Sequence, residues 1–301
     1  MNNNTVVTAS NMNYFWGVFL LIGSMRGNNM SEPVIVYATN YTDDAKRLLA
    51  QFGNVTIIDA PASTRSLTVQ KPEAMILAET DYVTWVDCDG FFNGNCSHLL
   101  LPDSPEQIHI RQRTKTDNQK VYPCSDGTIP QNVLETWRND IGEREEPRLD
   151  TCCSACFISL SMHYRDFLNC WRVQMLKVLP DGDVGVVDRR VKAYFQTDES
   201  VLNSLLCFAE NAPAVAPSFH MNKEPSALYI HFVAHPKPWR GWGPHTFRHF
   251  DAYTQIIDKL QRQGYEMPAP LPFSLQKKNK NLCNILRYPT LLHRKLSSLL
   301  K

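Results

Sequence analysis

Glycine is scarce, with 13 in 301 residues, below the roughly 7% typical of proteins. Glycine-built phosphate loops are therefore not expected, and neither G-x-x-x-x-G-K-[ST] nor G-x-G-x-x-G occurs. No internal repeat is visible, which argues against repeat architectures. Long apolar runs are missing too. Residues 14–25 (YFWGVFLLIGSM) are the only candidate for a span or signal. At 12 residues they are too short to cross a bilayer, and no Lys or Arg precedes them. A buried helix is the better reading. The nine cysteines are odd in number and scattered, as free thiols of a reducing compartment are. A cytoplasmic location is the expectation, and the N-x-[ST] triplets at Asn3, Asn40, Asn54 and Asn95 then carry no meaning.

Acid is absent from residues 274–301, which hold seven Lys/Arg: Lys277, Lys278, Lys280, Arg287, Arg294, Lys295 and Lys301. The rest of the chain has 24 basic against 30 acidic residues, so a body near −6 carries a tail of +7. Opposite signs point to a tail with its own partner. Pro268, Pro270 and Pro272 precede it as a linker. Its end sets Leu291, Leu292, Leu296, Leu299 and Leu300 among cations, an amphipathic pattern. The 43% hydrophobic and 20% charged fractions are otherwise those of a globular protein.

Strand and helix signals alternate through the first 90 residues. Strands are expected at 5–9, 33–38, 55–58 and 82–86, and helices at 14–25, 42–52 and 71–79. Such alternation with continuous apolar strands predicts an α/β fold, a parallel sheet covered on both faces. Ligands collect beyond the carboxyl ends of such strands. Residues 111–150 are polar, with Arg111, Arg113, Lys115 and Lys120 followed by an acidic run, and read as a solvated loop or lid. A strand at 153–160, helices at 164–179 and 199–208, a strand at 228–233 and a helix at 246–263 follow. Gly264 would stop the last helix.

Asp87-Cys88-Asp89 comes directly after the apolar strand YVTWV. In extended chain, residues i and i+2 point the same way, so both carboxylates can converge on one ion. Two hard oxygens with room for phosphate suit Mg²⁺ or Mn²⁺, although Asp pairs after strands also cap turns. In YIHFVAHPKPW, His231 lies six residues before Lys237, and Pro236 and Pro238 stiffen the turn around that lysine. An imidazole would favour Mn²⁺, and the lysine supplies a point charge for a diphosphate. A core histidine and a surface lysine are the plainer alternative.

Taken together, these motifs resemble glycosyltransferase family 8, whose members have the GT-A fold and include lipooligosaccharide galactosyltransferases and glycogenin. The D-x-D is Asp87/Asp89. The H-F-x-G-x-x-K-P-W element is matched by His231, Phe232, Lys237, Pro238 and Trp239. N-[SA]-G-V is matched loosely by 154–157 (SACF), and D-Q-x-x-L-N by 198–203 (DESVLN). The opening strand and nucleotide loop are similar as well, and the likeness covers roughly residues 5–245. It implies a GT-A domain over 1–265, with a mostly parallel central sheet and helices on both faces, and a basic tail over 266–301.

The resemblance further implies that Asp87, Asp89 and His231 hold Mn²⁺, with Mg²⁺ possible. Ala9, Asn11, Asn13, Tyr14, Lys71, Cys88, Ser154, Ala234 and Lys237 would line the donor, Tyr14 stacking on the base and Lys237 meeting the diphosphate. Asp198 and Glu199 would face the sugar near its anomeric carbon. The implied activity is a retaining, metal-dependent transfer of a hexose from a UDP-sugar to a saccharide of a surface glycan. Proteins or nucleic acids as acceptors, and a non-catalytic sugar-nucleotide-binding module, are the alternatives. Breaking a glycosyl–phosphate bond builds negative charge on the diphosphate, which a cation and Lys237 would stabilise, and positive charge on the sugar carbon, which a carboxylate would stabilise.

The chain departs from the pattern in places. Ser154, Cys156 and Ala234 replace the Asn and two Gly, and Asn11 replaces a base-recognising Asp. Glu199 replaces a Gln, and reads as a stronger nucleophile, a cation stabiliser or an unrelated surface acid. Cys152, Cys153 and Cys156 lack the second pair a zinc site needs and read as buried thiols. Trp239 and Trp242 either stack on a sugar or pack a loop. The tail is similar to the basic C-termini by which some bacterial relatives dock on the inner membrane. An anionic surface would attract it by about 1 kcal/mol per cation, the alternative being a disordered solubilising end. Nucleic acid is not the expected partner.

Overall fold

The computed structural model describes residues 3–61, 67–122, 124–179, 193–217 and 227–288. Its first part alternates as expected: β1 (Asn4–Asn11), α1 (Phe15–Gly27), β2 (Val34–Thr39), α2 (Asp43–Ala50), β3 (Val55–Asp59), α3 (Lys71–Ile76) and β4 (Tyr82–Val86). Local chemistry sets the boundaries. The Thr42 side chain accepts the Ala45 N–H and so caps α2, whose first turn carries Asp43 and Asp44. Pro72 sits in the first turn of α3. Nearly every residue of α1 is buried, as a helix apolar on all sides requires.

The second part contains β5 (Gly90–Phe92), β6 (Gln107–Gln112), α4 (Lys115–Gln119), α5 (Gln131–Ile141), β7 (Cys153–Ser161), α6 (Arg165–Val178), α7 (Asp198–Phe208), β8 (Ala214–Pro217), β9 (Tyr229–His231) and α8 (Phe250–Arg262). Among the described residues, seven strands form one sheet in the order β3-β2-β1-β4-β7-β6-β8. Six run one way, and β7 alone is antiparallel to both β4 and β6. The parallel order expected of the first four strands holds, and the sheet as a whole is mostly parallel, as expected, with β7 the exception. Because β6 ends and β7 begins at the carboxyl edge, the chain leaves and re-enters the sheet on the side of Asp87, whose N–H donates to the Cys156 carbonyl near the start of β7.

Two apolar cores flank the sheet. One joins α1, α8 and the β5/β9 ribbon, and the other joins α3, α5, α6 and α7. The 111–150 stretch is not a solvated loop throughout. It contains the end of β6, α4 and α5, and Trp137 of α5 is fully buried with its Nε1 on the Ala193 carbonyl at 2.8 Å. Its polarity misleads because α5 fully buries only Val133 and Trp137, sets Leu134 and Ile141 half-buried against the core, and leaves most of its polar residues toward solvent. The strand expected at 228–233 is shorter, Tyr229–His231, and the last helix begins at Phe250 after a 3-10 turn. Gly264, at φ 83°, follows its end.

The described part of the segment after α8, up to residue 288, packs on the body. Trp242 Nε1 donates to the Ser274 carbonyl at 2.7 Å, and Leu275 and Cys283 are buried. Lys280 pairs with Asp251 at 2.6 Å, and Lys277 pairs with Asp258. A helix over 280–288 leaves Leu282, Ile285, Leu286 and Tyr288 exposed. The leucines and cations from 291 onward lie outside the described residues. Among the described residues, no helix is long and apolar enough to cross a membrane.

Candidate metal and donor site

Asp87-Cys88-Asp89 forms the turn from β4 into β5, not a continuation of the strand, so extended geometry is not what aligns the two carboxylates. Backbone pairing does. The Asp87 N–H donates to the Cys156 carbonyl at 2.9 Å, and the Phe232 N–H to the Asp89 carbonyl at 2.8 Å. β5 pairs antiparallel with β9, setting Gly90 opposite His231. Phe91 stacks on Phe232 at 5.7 Å beneath this ribbon. An imidazole from far along the chain is thereby delivered to the two aspartates.

The ligand atoms of Asp87, Asp89 and His231 lie within 4.8 Å of one another. His231 Nε2 is 2.9 Å from Asp89 Oδ1 and 3.6 Å from Asp87 Oδ2. The outer oxygens are engaged elsewhere: Asp87 Oδ1 accepts from Trp85 Nε1 at 2.8 Å and Lys71 at 2.9 Å, and Asp89 Oδ2 pairs with Lys237 at 2.5 Å. One oxygen of each aspartate and Nε2 therefore face each other while the outer partners fix their orientation. This donor set fits a divalent cation: hard oxygens and an imidazole, each oriented by a further partner. Among the described residues no other three His, Cys, Asp or Glu side chains are grouped this way. The cysteines at 152, 153 and 156 are buried and form no disulfide.

Electrostatics bind the cluster to its surroundings. Burial opposes the charge on Asp89, yet His231 and Lys237 hold its carboxyl well below the usual range. Burial likewise opposes an imidazolium at His231, but the Asp89 carboxylate and the Cys156 thiol outweigh it and raise its pKa. Lys71 is buried and bridges Asp87 and Asp198, both at 2.9 Å. Burial pushes the Asp198 carboxyl up, and Lys71 only partly offsets this. Glu199 is no surface acid. Its Oε1 meets Arg113 at 2.6 Å and its Oε2 accepts the Ala155 N–H at 3.0 Å.

No protein-family model and no curated protein matches the chain. Solved structures do. The galactosyltransferase LgtC in complex with donor and acceptor sugar analogs superposes with a TM-score of 0.57 at 14% identity, over 88% of this chain and 98% of that one. The bifunctional glycosyltransferase WbbM gives 0.55 at 15% identity, over 89% and 52%. GlyE of Streptococcus pneumoniae TIGR4 gives 0.55 at 13% identity, over 90% and 66%. The chain thus spans about half of WbbM and about two thirds of GlyE. Its fold is that of the GT-A glycosyltransferases.

Within this GT-A fold the other residues expected at the donor fall on β1 and the turn after it, the start of α3, the β4–β5 turn, β7 and the loop after β9. Ala9 is buried on β1 opposite Tyr37. Asn11 caps the turn that follows, its Oδ1 accepting the Asn13 N–H at 3.0 Å. The Asn13 carbonyl takes Trp239 Nε1 at 3.1 Å. Tyr14 meets Trp239 edge-on at 5.6 Å, and burial, with Asp89 adding to it, raises its phenol pKa. Lys237 is buried, donating to the carbonyls of Phe232 at 2.6 Å and Val233 at 3.3 Å. Cys88 is buried, Ser154 Oγ lies 3.4 Å from Cys156 Sγ, and Ala234 is half-buried between His231 and Lys237. Both tryptophans pack loops: Trp239 against α1, and Trp242 among Phe232, Phe247, Phe250 and Tyr253.

Two cavities of about 510 and 560 Å³ lie elsewhere, one along residues 124–150 and one between α1, β5 and α8; neither is lined by the cluster. Sequence reasoning missed Trp85 and Arg113. Trp85 stands two residues before Asp87, so the same alternation that singled out the aspartates could have found it. Arg113 carried no such signal, because only the antiparallel pairing of β6 with β7 makes it interior.

Proposed function

We propose that this chain is a metal-dependent glycosyltransferase that moves a hexose from a UDP-sugar to a saccharide, with retention of configuration. The observation that supports it most is the meeting of Asp87, Asp89 and His231 between two buried lysines, within a GT-A fold. When bound there, Mn²⁺ (or Mg²⁺) supplies a Lewis acid that neutralises a diphosphate. Asp87 Oδ2, Asp89 Oδ1 and His231 Nε2 are the atoms to hold it. Lys237 and Lys71 orient the two carboxylates and add positive potential where the leaving diphosphate gathers charge. Tyr14 offers its ring to the base. Asp198, tied to the cluster through Lys71, supplies the negative charge near the sugar carbon.

The basic stretch does not favour a nucleic-acid acceptor. Arg111 and Lys120 pair with Asp117 and Arg113 pairs with Glu199, so its charge is largely spent inside the chain. We assign residues 1–265 to catalysis and 266–301 to contact with an anionic membrane surface on the cytoplasmic side, through the exposed apolar residues of 280–288 and the cations that follow. The test is turnover with Mn²⁺ and a panel of nucleotide-sugars, reading donor hydrolysis and transfer, with the product anomer assigned by NMR. Metal-dependent turnover of a UDP-hexose is expected. No metal-dependent binding or turnover of any donor would refute the proposal.

A further inference from the structure

Glu199 stands where the family resemblance places an amide, and its surroundings show how a carboxylate is accommodated. Arg113 and the Ala155 N–H engage both of its oxygens. Arg113 is anchored in turn: its side chain donates to the Cys153 carbonyl at 3.1 Å and its own N–H to the Cys152 carbonyl at 2.9 Å. Asn203, one turn further along α7, closes the same junction. Its Oδ1 accepts the Cys153 N–H at 2.6 Å, and its Nδ2 donates to the carbonyls of Cys153 at 2.9 Å and Glu199 at 2.7 Å. The Ala155 residue then links this junction to the metal cluster. Its N–H is held by Glu199 while its carbonyl receives Lys71 Nζ at 3.1 Å. The same Nζ joins Asp87 and Asp198.

We propose that Arg113 is a positioning residue for glycosyl transfer. By pairing with Glu199 it makes that position electrically neutral, and through Ala155 it sets Lys71 against Asp87 and Asp198. Glu199 is a strut in this arrangement and not the nucleophile. A nucleophilic carboxylate needs an oxygen free to approach the sugar carbon, and here each oxygen faces a donor from the chain itself. The pair is nearly buried, with side chains 12% and 14% exposed. Removing one partner therefore strands a charge, whereas removing both does not. The inference rests on the glycosyltransferase reading for its kinetic part.

The test compares the wild-type chain with Arg113→Met, Glu199→Gln and the double variant, by thermal melting and by steady-state donor turnover with Mn²⁺. Arg113→Met is expected to melt several degrees lower and to lose about tenfold or more in kcat with little change in KM. Adding Glu199→Gln should restore most of both losses. If Glu199→Gln alone abolishes turnover and the double variant stays inactive while folding normally, Glu199 is a catalytic group and the inference is overturned. A wild-type protein inert toward every donor defeats the functional reading instead. The melting comparison then judges the pair by itself, and a double variant no more stable than Arg113→Met overturns it.

Discussion

At the scale of single residues, the site depends on how three ligand atoms are freed to face one another. Each aspartate spends one oxygen on a buried lysine, which leaves the other for an ion. His231→Ala removes a ligand without touching either lysine. It is expected to lower Mn²⁺-dependent turnover by at least about a hundredfold, and steady-state kinetics over a Mn²⁺ titration checks this. The raised pKa of His231 adds a sign. A metal must displace the imidazole proton, so Mn²⁺ affinity should rise with pH, by about tenfold per unit below the pKa for one displaced proton. Calorimetric titration of Mn²⁺ across pH 6–8 measures it, and affinity that falls with rising pH would contradict an imidazole ligand.

At the scale of elements, the β5/β9 ribbon and the first turns of α1 decide whether the site forms at all. A Cβ added at Gly17 would lie 2.6 Å from the Cys88 carbonyl and 2.7 Å from the Trp239 ring, wedging α1 from both donor loops. Gly17→Ala should cost about 1–3 kcal/mol and weaken donor binding together with stability; denaturant unfolding and nucleotide titration read the two. Much of this organisation was legible beforehand. The alternation through β4 and the two aspartates after it are local patterns, and H-F…K-P-W is short and specific. What stayed hidden was non-local. The reversal of β7 leaves no mark in the composition of Cys153–Ser161, whose apolar run would suit either direction. Arg113 looked like one cation among several in a polar stretch until β7 covered it. The aspartates were found for an incomplete reason, since a turn and a partner strand align them where plain extension was expected.

At the scale of the whole molecule, the N-terminal strands, the β6–β7 insertion and the segment after β8 each contribute to one end of the sheet. The segment beyond α8 is anchored by Ser274, Leu275 and Cys283. Its cations are partly neutralised, since Lys277 and Lys280 already pair with α8. Vesicle attachment should therefore depend most on Lys278, Arg287 and the cations beyond 288. Co-sedimentation with anionic vesicles should fall steeply with salt and be lost when those residues are changed to Gln, whereas binding to neutral vesicles equal to that on anionic ones would count against it. The central claim, that one ion links residues early and late in the fold to a diphosphate, is tested most directly by titrating UDP-hexose calorimetrically with and without Mn²⁺, in the wild-type chain and in His231→Ala. Tight donor binding is expected only for wild type with Mn²⁺. Donor binding of equal strength in all four titrations would contradict it.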